Sequence, residues 1–149
     1  MAHDQREALA LALRDLTATC RDAEEGYNKA AKGVHSDELR AMFDRLSLER
    51  ARFAEEIKDL LRPFSIQPED QGHGGGILRR GWVDLEQRNR PKDDMEIVEN
   101  CVAGDEGSLP HYDHALTLPF NHDVTALIRR QREAIRAAVE ALRNVGARS

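Results

Sequence analysis

Aromatic side chains are scarce in this chain: four Phe, two Tyr and a single Trp, or 5% of 149 residues. Sheet proteins lean on aromatic and β-branched residues, so an all-β fold is disfavoured. Cysteine is nearly absent as well. Cys20 and Cys101 form no CxxC pair, which argues against a zinc ribbon or a dithiol redox motif. A disulfide would be unusual in the reducing compartment expected below. No apolar run approaches the ~18 residues of a membrane span. The first residues, Met1-Ala2-His3-Asp4-Gln5-Arg6-Glu7, hold no apolar signal segment, so the expected location is the cytoplasm. Neither sign of charge dominates. The 22 basic and 27 acidic residues are interspersed and sum to −5, which argues against nucleic acid as a partner.

Ala, Leu, Glu and Arg make up much of the chain, and these are strong helix formers. Leu9, Leu13, Leu16, Cys20, Ala23, Tyr27 and Ala30 recur at alternating spacings of four and three. That rhythm keeps one stripe on one side of a helix. It predicts a first helix over about 4–33, capped by Asp4 and ended by Gly33. Ser36 caps a second helix over about 37–62, whose stripe runs Leu39, Met42, Phe43, Leu46, Phe53, Ile57 and Leu60 until Pro63 stops it. A third helix, about 94–117, begins at Asp93 or Asp94 and turns Met95, Val98, Val102, Leu109 and Leu116 inward. Pro110 falls inside it, where a kink is expected, and Pro119 ends it. A fourth, about 122–146, is capped by Asn121 or Asp123 and carries Val124, Leu127, Ile128, Ile135, Ala138, Leu142 and Val145.

Residues 63–92 differ in character. Pro63, Pro68, Gly72, Gly74, Gly75, Gly76 and Pro91 mark a connection. A short helix over about 77–89 carries Leu78, Trp82 and Leu85, with Trp82 expected to plug the crossover onto the bundle. The connection is far longer than adjacent antiparallel helices need, so it reads as a crossover along the bundle. Hairpin, long crossover, hairpin is the ferritin-like arrangement of an all-α four-helix bundle, here expected as a single domain over 1–149. The two halves also echo each other: Cys20 precedes Glu25-Gly26 as Cys101 precedes Glu106-Gly107.

Placing residues at about 100° per position gives each helix one polar side chain on its inner face. These are Glu24, Glu49, Glu106 and Gln131, and their distances from the two hairpin turns put them near one height. Carboxylates gathered in this way need a compensating charge, shared protons or water. Ferritin-like di-metal sites use a Glu from each of two helices and Glu-x-x-His from each of the others. Here those tetrads read Glu49-Arg50-Ala51-Arg52 and Gln131-Arg132-Glu133-Ala134. Both histidines are missing and one glutamate is a glutamine.

Two readings of this belt follow. In one, Glu24, Glu49 and Glu106 bind iron or manganese, with Gln131 as a polar neighbour. In the other, Arg50 and Arg52 neutralise the belt, or water fills it, and no cofactor is needed. The weaker donor set favours the second, with no catalytic residues assigned and a non-enzymatic protein expected.

His111 and His114 stand one helical turn apart with His122 beyond. They read as surface histidines near a helix end, with metal binding as the competing use. His73, in a Gly-rich piece without Lys-Ser/Thr, belongs to no P-loop. Cys20 reads as a small core residue, Cys101 as a flanking, partly exposed thiol, and Tyr27 as a partner for Glu24.

The segments Arg21-Asp22-Ala23-Glu24-Glu25-Gly26-Tyr27, Glu49-Arg50-Ala51-Arg52-Phe53 and Arg80-Gly81-Trp82-Val83-Asp84-Leu85 resemble a bacterial family of ferritin-like four-helix-bundle proteins of uncharacterised function. The resemblance runs from the first helix to the fourth and departs around Pro110. It implies the ferritin-like fold and a bacterial cytosolic protein, and it brings no reaction with it. A stress-related bundle that forms a homo-oligomer, expected as a dimer, and an interaction module using Trp82 and the crossover are further expectations.

Overall fold

A computed structural model describes residues 3–64, Trp82 and 93–148. The helix expected over 77–89, apart from Trp82, lies outside the described residues, as does His73. Four long helices account for most of what is described. We number them α1 (His3–Gly33), α2 (Asp37–Leu60), α3 (Asp94–Leu116) and α4 (His122–Arg148).

Local chemistry sets their ends. Ser36 accepts a hydrogen bond from the Leu39 N–H at 3.2 Å and caps α2, with Asp37 and Glu38 in its positive first turn. Arg40 then folds back. Its guanidinium donates to the Ala31 and Val34 carbonyls at 3.3 and 2.8 Å, satisfying carbonyls that the end of α1 leaves open. Leu61 caps the far end of α2, and a 3-10 turn at Arg62–Phe64 contains Pro63. Asp93 and Glu96 form a reciprocal capping box at the start of α3. Asn121 accepts from the Val124 N–H at 2.9 Å and opens α4. α3 continues through Pro110 to Leu116, although proline cannot donate to the carbonyl one turn back.

α1 packs along both α2 and α3, and α3 packs along α4, which leaves α2 and α3 on a diagonal of the bundle. The turn between α1 and α2 is tied to α3, because Asp94 accepts from the backbone N–H groups of His35 and Ser36 at 2.8 and 3.0 Å. The apolar core falls into two clusters. One, toward this turn, gathers Tyr27, Phe43, Trp82, Ile97 and Leu142. The other gathers Leu13, Leu16, Phe53, Ile57, Tyr112, Ile128 and Ile135. Each fully buried aliphatic or aromatic side chain contributes about 1.5–3 kcal/mol.

The facing of α3 differs from its expected stripe. Its buried residues are Ile97, Val98, Cys101, Gly104, Asp105, Ser108, Tyr112 and Ala115. Met95, Val102, Leu109 and Leu116 are only partly buried. The helix is rotated by about one position, roughly 100°. Cys101 is consequently fully buried rather than at the exposed flank. The misplacement has a simple origin: small and polar residues line the inner face of α3, so hydrophobicity marks that face poorly.

Candidate functional site

Where α2 passes from one apolar cluster to the other it carries Arg50. This side chain is fully buried, and so is Asp105 across the diagonal on α3. The guanidinium forks onto the carboxylate, with NH1 2.5 Å from Oδ1 and NH2 3.1 Å from Oδ2. Its third edge donates from Nε to Glu49 at 3.3 Å. Tyr27, from α1, donates its hydroxyl to Asp105, and the guanidinium lies 5.3 Å from the Tyr27 ring centre. Burial by itself would lower the Arg50 pKa. The adjacent Asp105 carboxylate offsets that effect and holds it above the usual arginine value. Burial and the Asp105 charge push the Tyr27 phenol well above its usual value.

A second tier lies one step along the bundle. Cys20 Sγ and Tyr112 Oη are 3.1 Å apart, and Tyr112 donates to Gln131 Oε1 at 2.6 Å. Gln131 in turn donates to the Phe53 carbonyl at 3.3 Å and to Glu56 at 2.8 Å. Seven residues separate Cys20 from Tyr27 on α1 and Asp105 from Tyr112 on α3. The tiers therefore stand about 10 Å apart, at ~1.5 Å per residue. Burial pushes the Cys20 thiol up to about 12, and burial likewise raises Cys101 and Tyr112. Neither thiol is an activated nucleophile.

Of the expected belt, Gln131 is buried. Glu49 borders the core, its side chain 26% exposed beside Arg50. Glu24 is 35% exposed and held by Arg21. Glu106 is exposed and paired with Arg143. The three carboxylates do not converge; each is paired with an arginine, Glu49 with the Arg50 that also holds Asp105 and Glu24 with the Arg21 that also reaches Glu55. The inward carboxylate of α3 is the preceding residue, Asp105, and Tyr27 bonds to it rather than to Glu24. Arg52 is exposed, 5.8 Å from the Phe53 ring centre. His111 meets Asp15 of α1, while His114 and His122 are exposed. Among the described residues, no three His, Cys, Asp or Glu side chains are grouped so as to hold a metal ion.

Trp82 completes the upper tier. It is buried and edge-on to Tyr27, with ring centres 5.1 Å apart. It occupies a slot whose walls are Gly26 of α1 and Gly104 of α3. A Cβ on Gly26 would stand 2.1 Å from the indole, and one on Gly104 would stand 2.2 Å away. Glycine is required at both positions by this close approach. The expectation that Trp82 plugs the crossover onto the bundle fits this placement.

Residues 8–118 match the family model described as a domain of unknown function (DUF2383). The chain belongs to this family. No curated protein matches the sequence. Among solved structures, it is similar to a point mutant of Dps1 from Mycobacterium smegmatis, at 10% identity and a TM-score of 0.77. That match covers 98% of this chain and 99% of the other. It is also similar to a DPS protein from Vibrio cholerae O1, titled a member of a broad superfamily of ferritin-like diiron-carboxylate proteins. There the identity is 17% and the TM-score 0.73, covering 95% and 90% of the two chains. At these identities the likeness establishes the ferritin-like fold of this family member.

A ferritin-like fold raises the question of a di-metal centre, and the described residues do not fit one. Such centres draw on four inward glutamates and two histidines. Here the buried carboxylates among the described residues are Asp22 and Asp105; Asp105 is already bidentate to a guanidinium that also bonds Glu49, and the α4 position holds an amide, Gln131. Among the described residues, no three His, Cys, Asp or Glu side chains group there. An arginine donates hydrogen bonds and ligates no metal.

Proposed function

We propose that this chain is a non-enzymatic ferritin-like bundle whose buried polar tiers fix the register of the four helices. The observation that carries this reading is the mutual bonding of the ionic, hydroxyl and amide groups in those tiers, beside which the Trp82 indole N–H has no partner among the described residues. Arg50 meets Asp105 and Glu49, Asp105 also meets Tyr27, and Tyr112 and Gln131 are satisfied by Cys20, Glu56 and the Phe53 carbonyl. Each tier draws side chains from at least three helices. Groups that satisfy one another in this way hold neighbouring helices at one height, because a slip of one turn would leave buried charge unpaired.

In this reading the protein is a single domain over 1–149. It acts in a bacterial cytoplasm as a self-associating, dimeric bundle with a stress-related role. The fold of its two bacterial structural relatives supports the bacterial setting, and no helix among the described residues is long and apolar enough to cross a membrane. Elemental analysis of protein purified without chelator, paired with melts with and without EDTA, tests the core reading. The expected result is substoichiometric iron and manganese and an unchanged melting temperature.

The second reading, iron or manganese held through Glu24, Glu49 and Glu106 beside Gln131, draws its support from the diiron-carboxylate title of one structural relative. It requires Arg21, Arg50 and Arg143 to release their carboxylates. A stoichiometric ion lost in Glu49→Ala would establish it over the first.

A further inference from the structure

We propose that Arg50 is the bundle's resident cation: its guanidinium occupies the place that a ferritin-like core gives to metal and excludes a metal ion from it. This rests on the reading of the core as free of metal and adds what takes the metal's part.

The geometry is that of a cation site. The guanidinium is fully buried at the middle of the bundle and faces carboxylate oxygens from two helices. Asp105 of α3 supplies both carboxylate oxygens, at 2.5 and 3.1 Å, and Glu49 of α2 supplies one at 3.3 Å. Tyr27 of α1 does not face the guanidinium with its hydroxyl; it fixes the orientation of Asp105 by donating to it. Two carboxylates beside one permanent positive charge leave one net negative charge, with Glu49 at the solvent edge. A planar fork matches a bidentate carboxylate better than a point charge does. Unlike a metal, this cation is covalently tethered, so it does not dissociate or exchange.

Two consequences separate this assignment from a merely structural salt bridge. Removing the side chain without removing its oxygen partners leaves a vacant, anionic, guanidinium-shaped cavity. That cavity should take up a free cation, and the uptake should stabilise the fold by mass action. The wild-type protein, its site filled, should respond to neither cation.

The experiment uses the full chain as wild type, Arg50→Ala and Arg50→Ala/Asp105→Leu. Melting temperature is recorded with millimolar guanidinium chloride, with manganese(II) chloride and with matched sodium chloride. Manganese binding is measured by equilibrium dialysis. The expected result has three parts. Arg50→Ala melts lower than wild type. Both cations raise its melting temperature above the sodium control. It also binds manganese at least ~tenfold more tightly than wild type, and the double variant loses both responses.

A folded Arg50→Ala protein that ignores both cations overturns the assignment, even if the wild type proves free of metal. Stoichiometric metal at the core of the purified wild type overturns the underlying reading as well. If Arg50→Ala does not fold, Arg50→Lys and Arg50→Gln decide. Lysine keeps a cation, so Arg50→Lys should melt well above Arg50→Gln, and equal melting temperatures reject the assignment.

Discussion

Arg50 and Asp105 meet across the diagonal of the bundle, from two helices that scarcely pack on each other, with both side chains fully buried. A buried charge left without its partner is far more costly than a pair replaced by apolar groups. Asp105→Ala should therefore lower stability by about 3–5 kcal/mol, whereas Arg50→Met/Asp105→Leu should recover most of that loss. Urea denaturation of the three proteins checks this. A double variant no more stable than Asp105→Ala would count against the pair as an electrostatic unit.

The slot around Trp82 makes a separate prediction. A methyl at Gly26 or Gly104 would overlap the indole at 2.1 or 2.2 Å. Gly104→Ala should cost about 1–3 kcal/mol, the usual range for overpacking. Because Trp82 is the sole tryptophan, its fluorescence reports on the slot directly. Emission should move to longer wavelength in Gly26→Ala and Gly104→Ala. Unchanged emission in both would show that the slot has room to spare.

Alkaline pH should weaken the fold. Burial raises Tyr27, Tyr112 and Cys101 above their usual values and takes Cys20 from 9.0 to about 12. The native state thus holds these protons more tightly than the unfolded chain does. As pH rises past about 9, and then about 10, the unfolded thiols and phenols ionise while the native ones do not. The unfolded state then binds fewer protons and stability falls with pH. Denaturation midpoints between pH 8 and 11 should decline accordingly, and Cys20→Ala/Cys101→Ala should flatten the onset. In native protein at neutral pH, both thiols should resist a thiol reagent until the chain is unfolded.

At the other end of the scale, Asp94 is a contributor. Hydrogen bonds from the His35 backbone, opposed in part by burial and reinforced by the Ser36 backbone, hold its pKa below 3.8. The native state binds this proton less tightly than the unfolded chain. Its contribution is therefore present above the unfolded pKa and lost as pH falls through the lower, native one. Asp94→Asn should reduce the steepness of acid unfolding below about pH 4, and the slope of stability against pH is the quantity to measure.

Much of the bundle was legible in the chain. The four-three spacing from Leu9 to Ala30, the Ser36 cap, the Asp93 start and the buried Gln131 all appear as expected. These features depend on local chemistry or on a strong apolar stripe. The polar middle was legible in kind, since arginine stood ready to neutralise carboxylates, but the partner was misassigned. Glu106 was expected inward, and Asp105 is there. One residue is about 100° of helix, and α3 has too little hydrophobic contrast to fix its rotation to better than that.

By itself, then, the sequence determined four helices, most of their ends, and tetrads at Glu49 and Gln131 that lack histidine. Each is a matter of residue type at fixed spacing along one helix. The tertiary structure alone decided that Arg50 meets Asp105, that Glu106 pairs with Arg143, and that Trp82 lies between Gly26 and Gly104. Those contacts join residues 22 to 56 positions apart. They depend on how α3 rolls to admit an indole beside Gly104 and a carboxylate beside a buried guanidinium, and no pattern within α3 records that roll.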